Sequence, residues 1–148
     1  MVRPVDVSVE RVIRAARAEV AGFAADMGNA PRWYRNIKSV EWRTDPSTDP
    51  GARAAFVAEF MGRRIAYTYE IREHLHGERL VMSTEEGPFP MQTIYEWSDA
   101  PKGTHMRLTN RGFPSGFKAV LMPVMALAMR RAMTQDLSQL DKVMRSRP

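Results

Sequence analysis

Apolar and polar residues alternate from the start of the chain. Val5, Val7 and Val9 fall on one side and Asp6, Ser8 and Glu10 on the other, which predicts a half-buried strand over residues 5–13. From residue 18 the period lengthens. Val20, Phe23 and Met27 share one helical face, and Gly28 and Asn29 stop the helix after Met27. Asn29 is placed to cap a second short helix with Pro31 near its first turn, carrying Trp33 and Tyr34. The period then returns to two in six runs: 37–44, 53–60, 63–73, 79–85, 91–98 and 105–111. The breaks between them hold Asp45-Pro46, Asp49-Pro50-Gly51, Met61-Gly62, His76-Gly77, Gly87-Pro88-Phe89-Pro90 and Asp99-Ala100-Pro101-Lys102-Gly103. That is turn chemistry, and short connections make neighbouring strands antiparallel.

The last segment, about residues 116–144, repeats at the helical period. Met122, Met125, Met129 and Met133 lie three, four and four apart, and Leu137, Leu140 and Met144 extend the stripe. Pro123 near its start predicts a kink or a break into two pieces. Seven strands with one apolar face and one helix with one apolar stripe pack most simply with the stripe on the concave face of the sheet. The expectation is a single α+β domain over residues 1–148.

Composition supports a globular domain. Apolar residues make up 44 % of the 148 and charged residues 26 %. Cysteine is absent, which excludes disulfides and thiolate metal sites and suits a reducing cytoplasm. No apolar run at the start suggests a secretory signal, and none approaches a membrane span. Residues 119–129 come nearest and are stopped by Arg130-Arg131. A cytoplasmic protein without stable membrane insertion is expected. The net charge is +5, but the 18 arginines are spread from Arg3 to Arg147 rather than gathered in a block, so no nucleic-acid partner is expected. Lys118, Arg130, Arg131, Lys142 and Arg145 form a basic outer face on the last helix that would suit a membrane edge. Asp136 and Asp141 interrupt that face, and an ordinary solvated surface is the simpler reading. Nothing in the pattern speaks to oligomeric state.

Strand parity gives the inward set. Ile65, Tyr67, Tyr69 and Ile71 share one face, against Arg64, Ala66, Thr68, Glu70 and Arg72. Leu80, Met82 and Thr84 share another; so do Met91, Thr93, Tyr95 and Trp97, and Met106, Leu108 and Asn110. The inward polar atoms are therefore the hydroxyls of Tyr67, Tyr69, Thr93 and Tyr95 and the amide of Asn110. Leucine specifies a closed core better than methionine does. Methionine, unbranched and polarizable, adapts to varied apolar guests, although a methionine stripe also serves as plain core. The three histidines are badly placed for acid–base work. His74 and His76 flank a turn and have no third partner for a metal, and His105 opens a strand. Glu85-Glu86 is read as a solvated strand end. No Ser-His-Asp set, phosphate loop or metal motif is present. Neither a metal nor a cofactor is expected.

Four stretches in order, NAPRWYRNIKSVEW, GRRIAYTYEI, EGPFPMQTIYEW and THMRLTNRG, resemble the START-like superfamily, also called the SRPBCC or Bet v 1-like group. The likeness is to its polyketide cyclase/dehydrase and lipid-transport branch. The resemblance implies a helix-grip fold, a curved seven-stranded antiparallel sheet around the C-terminal helix with a cavity between them. Superfamily members bind sterols, lipids, quinones, plant hormones or polyketides, and some cyclise or dehydrate polyketides. By that implication the ligand is a small hydrophobic molecule (lipid, polyketide, isoprenoid or quinone). It would be lined by Tyr67, Tyr69, Met82, Thr93, Tyr95, Met106, Leu108, Asn110, Met122, Met125 and Met129. Lacking an inward arginine or histidine, the chain reads as a binding or carrier module before it reads as a cyclase/dehydratase.

Overall fold

The computed structural model describes residues 5–84, 90–112 and 121–147. Seven strands make one antiparallel sheet: β1 (Val5–Ile13), β2 (Ile37–Trp42), β3 (Arg53–Phe60), β4 (Arg63–Leu75), β5 (Arg79–Thr84), β6 (Met91–Ala100) and β7 (Gly103–Gly112). Their spatial order is β1-β7-β6-β5-β4-β3-β2. Each strand from β2 to β7 thus lies beside its sequence neighbour, and β1 returns to pair with the last strand, from Val5 opposite Gly112 to Ile13 opposite Thr104. Helices α1 (Arg17–Ala25) and α2 (Ala30–Trp33) link β1 to β2, and α3 (Met122–Arg145) closes the chain. This is the expected helix-grip arrangement.

Burial follows parity on β1 and β4, while on β5 to β7 the outward Val81, Ile94 and Thr109 are buried as well. Val5, Val7, Val9 and Ile13 are buried on β1, and Tyr69 and Ile71 on β4, while Arg64, Ala66 and Arg72 are exposed. At the β3–β4 hairpin Met61 and Gly62 both take positive φ, 51° and 76°, the backbone whose twist matches the flanking strands. Strands β6 and β7 run further than their alternation predicts. Ala100 pairs with Gly103, which leaves Pro101 and Lys102 as the turn.

Helix α1 ends at Ala25 rather than Met27. Asp26 leaves the helix and its side chain accepts the Gly28 N–H at 2.9 Å, capping a 3-10 turn over Met27–Asn29. Asn29 does not cap α2 with its side chain, as expected from sequence; its amide donates to the Phe23 carbonyl at 3.2 Å. Pro123 falls in the first turn of α3, where its missing donor has no intrahelical partner to lose. Of the two expectations, a kink or a break, Pro123 thus makes no kink within α3, and a break before it would fall on residues that are not described. Residues 113–120, where the helix was expected to begin, and Glu85-Glu86 lie outside the described residues.

The outer face of α3 departs from expectation. Asp136 and Asp141 are 3 % and 0 % exposed; they belong to the buried side, among Met125, Met129, Met133, Leu137, Leu140 and Met144. The basic residues that are described, Arg130, Arg131, Lys142 and Arg145, are exposed as expected, and two of them also bond back to the fold. Arg130 donates to the Ser8 carbonyl at 2.9 Å, and Arg145 donates to Asp141 at 3.2 Å. Lys118 is among the residues not described. No described helix is long and apolar enough to cross a membrane.

Asp141 ties α3 to the end of β1. Its carboxylate accepts the Arg14 backbone N–H at 2.9 Å and the Arg14 guanidinium at 2.8 Å, and Arg11 reaches it at 3.4 Å. Burial alone would raise its pKa, but the Arg14 bonds and the Arg145 charge outweigh that and bring it from 3.8 down to about 2. A carboxylate depressed by folding stabilises above its unfolded pKa and loses that contribution as pH falls. Asp141→Asn should therefore lower stability near neutrality by about 2 kcal/mol, the scale of charge-assisted hydrogen bonds. In urea titrations the gap to wild type should close as pH falls from 3.8 towards about 2. Equal midpoints at neutral pH would refute the anchoring role.

Candidate functional site

Register brings the inward side chains into rows. Leu80 lies opposite Tyr95, Tyr95 opposite Leu108 and Leu108 opposite Val9. One step along, Met82, Thr93, Asn110 and Val7 align in the same way. Helix α3 approaches most closely along β1 and against α2, so the space over the central strands is filled by long side chains. Tyr69, Met82, Thr93, Tyr95, Met106, Leu108, Met125 and Met129 are buried there. Tyr67, Asn110 and Met122 are half-buried, with Tyr67 and Met122 packed against the same core.

Within this apolar wall the polar atoms meet. The Thr93 hydroxyl donates to Asn110 Oδ1 at 2.6 Å and hence accepts from the Tyr69 hydroxyl, also at 2.6 Å. The Tyr34 and Tyr95 hydroxyls lie 2.6 Å apart. Rings continue the wall. Phe56 stacks on Tyr67 with centroids 5.6 Å apart, Tyr67 meets Tyr69 edge-on at 5.3 Å, and Trp33 and Trp97 flank Tyr95 at 5.6 and 5.9 Å. The indole N–H groups of Trp33 and Trp97 are buried without a hydrogen-bond partner among the described residues. Such orphaned donors are rare in native interiors and call for an explanation.

Asp136 completes the cluster. Its Oδ1 accepts the Arg35 backbone N–H at 3.0 Å, and its charge acts on Tyr34, Tyr67 and Tyr95. Burial raises its pKa from 3.8 to about 7, against the opposing effect of Arg35. Burial likewise pushes the phenols up: Tyr69 to about 12, and Tyr34, Tyr67 and Tyr95 well above the ordinary value. The four tyrosines are neutral hydrogen-bonding groups near pH 7, and Asp136 is poised to exchange a proton there.

Strand parity reaches neither Tyr34 nor Asp136. Tyr34 enters from the end of α2. Asp136 does carry a signal, since it lies three residues after Met133 and four before Leu140, inside the apolar stripe. On β1, Arg11 opposes Met106 on the concave face where no inward arginine was expected, but its guanidinium is turned to Asp141.

Two grooves lie elsewhere. One, of about 560 Å3, runs between α1 and the turn ends and includes Arg17, Thr48, His74, His76 and Asp99. There His74 Nδ1 is 2.6 Å from the Thr48 carbonyl, and burial lowers its pKa. The other, of about 290 Å3, lies over β2, β3 and β4, and Tyr67 is the expected ligand contact that borders it. Among the described residues no three His, Cys, Asp or Glu side chains are grouped to hold a metal ion.

The model of the family described as polyketide cyclase/dehydrase and lipid transport matches residues 4–145. The chain belongs to this family. Solved structures share the fold at low identity. A Thermus thermophilus protein superposes with a TM-score of 0.80 at 20 % identity, covering 93 % of this chain and 94 % of its own. A START superfamily protein of Mycobacterium smegmatis gives 0.78 at 11 %, covering 95 % and 97 %. The ZhuI aromatase/cyclase of a Streptomyces species gives 0.77 at 13 %, covering 98 % and 94 %. No curated protein matches the sequence. At such identities the neighbours establish the fold, while activity has to be argued from the site.

An acid whose folded pKa is raised lends relative stability at low pH and loses it as pH rises. Wild-type stability should therefore carry a falling component from pH 3.8 to about 7 that Asp136→Asn lacks. The asparagine keeps an acceptor for Arg35. Above pH 7 the variant should be the more stable by about 4 kcal/mol, at roughly 1.4 kcal/mol per pH unit between 3.8 and about 7. Parallel stability–pH curves would show that Asp136 is not buried as an acid.

Proposed function

We propose that this chain is a cytoplasmic binding or carrier protein for a small hydrophobic molecule held between the sheet and α3. The observation that carries the reading is the Tyr69–Thr93–Asn110 chain, the Tyr34–Tyr95 pair and the buried Asp136 set among methionine and aromatic side chains. A ligand site needs a mostly apolar wall with a few placed polar groups, and a plain core avoids them. The wall would supply the free energy of transfer from water, and the hydroxyls would orient the polar end. Met82, Met106, Met125 and Met129 would yield to admit the guest, because methionine changes shape at little cost. The absence of cysteine suits a reducing compartment.

A second reading is favoured by Asp136. A carboxylate near neutral pKa is matched to general acid–base work, so the interior would also serve a polyketide cyclase/dehydratase. Asp136 would take the proton from carbon between two ketones, with a tyrosine hydroxyl bonding the enolate oxygen. The enolate carbon would attack a second ketone, and the resulting alkoxide would recover the proton from Asp136. Carriage ranks first because this cycle also needs a substrate folded over the site, and among the described residues no inward arginine or histidine is free to grip one, Arg11 being engaged by Asp141.

Native mass spectrometry of protein purified from its source should show a retained apolar molecule; a bare chain under those conditions would count against carriage. Tyr95→Phe separates the two readings. A carrier should lose about 0.5–1.5 kcal/mol of ligand affinity, the net value of one hydrogen bond. A cyclase should lose on the order of 100-fold in turnover, the scale for a positioned proton donor. Replacing Met125 and Met129 together by leucine should cost under about 1.5 kcal/mol of stability and narrow the panel of hydrophobic ligands bound. An unchanged panel would return both residues to ordinary core packing.

A further inference from the structure

Asp136 gives the proposed interior a sign. It is 3 % exposed. The charged and titratable groups that act on it, or on which it acts, are Arg35 from the α2–β2 link, Tyr34 from the end of α2, Tyr67 from β4 and Tyr95 from β6. The Arg35 residue is exposed and meets Asp136 through its backbone N–H. Arg11, the arginine of the concave face, is turned to Asp141. Nothing described therefore offers an interior cation to an anionic guest. A buried carboxylate without a cation or several N–H donors is strongly unfavourable, and two carboxylates in one water-poor site cannot both stay ionised.

Resting on the carrier reading, we infer that the interior selects a hydrophobic ligand whose polar end is a neutral hydroxyl, phenolic or enolic, and rejects hydrophobic carboxylates such as fatty acids. Such a hydroxyl has matched partners. It donates to Asp136, whose second oxygen retains acceptor capacity beyond the Arg35 bond. It also accepts from the Tyr34–Tyr95 pair, which contains two protons for one shared contact. The orphaned indole N–H groups beside Tyr95 suit a further carbonyl or ether oxygen on the same guest. An anionic headgroup would gain the tyrosine and indole donors but face the Asp136 charge.

The test uses two probes with one ring system, 2-naphthol and 2-naphthoate, titrated against the full chain by calorimetry. At about pH 8 naphthol is neutral and naphthoate an anion. Wild type should bind naphthol at least about tenfold tighter. At about pH 5.5 Asp136 is protonated in the folded protein while naphthoate is still an anion, so the preference should shrink. Asp136→Asn should keep only the part of the preference that burying an anion costs by itself, so its naphthol preference at about pH 8 should fall at least about threefold below that of wild type and should not change between the two pH values. Equal or tighter binding of naphthoate by wild type at the higher pH overturns the inference. So does a preference that Asp136→Asn leaves unchanged. If that variant does not fold, the pH dependence of wild type decides alone. Binding of neither probe rejects the hydroxyl class while leaving carriage of another apolar molecule intact, and native mass spectrometry showing no retained molecule removes the carrier reading itself.

Discussion

Asp141 accepts hydrogen bonds from the Arg14 backbone and from the guanidiniums of Arg14, Arg11 and Arg145. Through them α3 is fixed where β1 ends. Two further polar bonds set its path: Arg130 to the Ser8 carbonyl nearer the start of β1, and the Arg35 N–H to Asp136 on the side of α2. The helix is thus held against the edge strand β1 on one side and against α2 on the other. Over β4 to β7 the helix stands further from the sheet than it does along β1, and side chains span the space.

That constraint explains the composition of the interior. Tyrosine, tryptophan and methionine are long side chains able to bridge such a gap; Tyr69, Met82, Tyr95, Trp97 and Met106 reach in from the sheet and Met125, Met129 and Met133 from α3. Tyrosine brings a hydroxyl wherever it goes, and each buried hydroxyl needs a partner. The Tyr69–Thr93–Asn110 chain and the Tyr34–Tyr95 pair meet that need within the protein. Asp136 does not fit the same logic. Its near-neutral pKa marks an acid kept at a cost to stability, a pattern that proteins retain at functional positions more than in scaffolds.

Membership of a family that includes both cyclases and lipid carriers leaves chemistry to these details. Two conditions separate the alternatives physically. A carrier has to release its guest unchanged and benefits from adaptable walls. A cyclase has to hold one folded conformation of its substrate against a proton-transferring group. The methionine-rich wall meets the first condition, while Asp136 with its tyrosines supplies part of the second.

The sequence by itself determined the strands, the face each one buries and the helical stripe, because period-two and period-3.6 patterns record burial on regular elements directly. Thr84, Thr93 and Tyr95 fall on the inner face that parity assigns, and all three are buried. Helix ends were less legible, since Asp26 and Asn29 chose local bonds that propensity does not rank. Only the tertiary structure decided the polar site. Tyr34 meets Tyr95 across 61 positions and Arg35 meets Asp136 across 101. The spacing places Asp136 and Asp141 inside the apolar stripe, although carboxylates are usually solvated. Whether such a carboxylate is buried depends on what packs over it: the Arg35 backbone N–H meets Asp136, and the Arg14 guanidinium and backbone N–H meet Asp141, contacts that no side-chain pattern encodes.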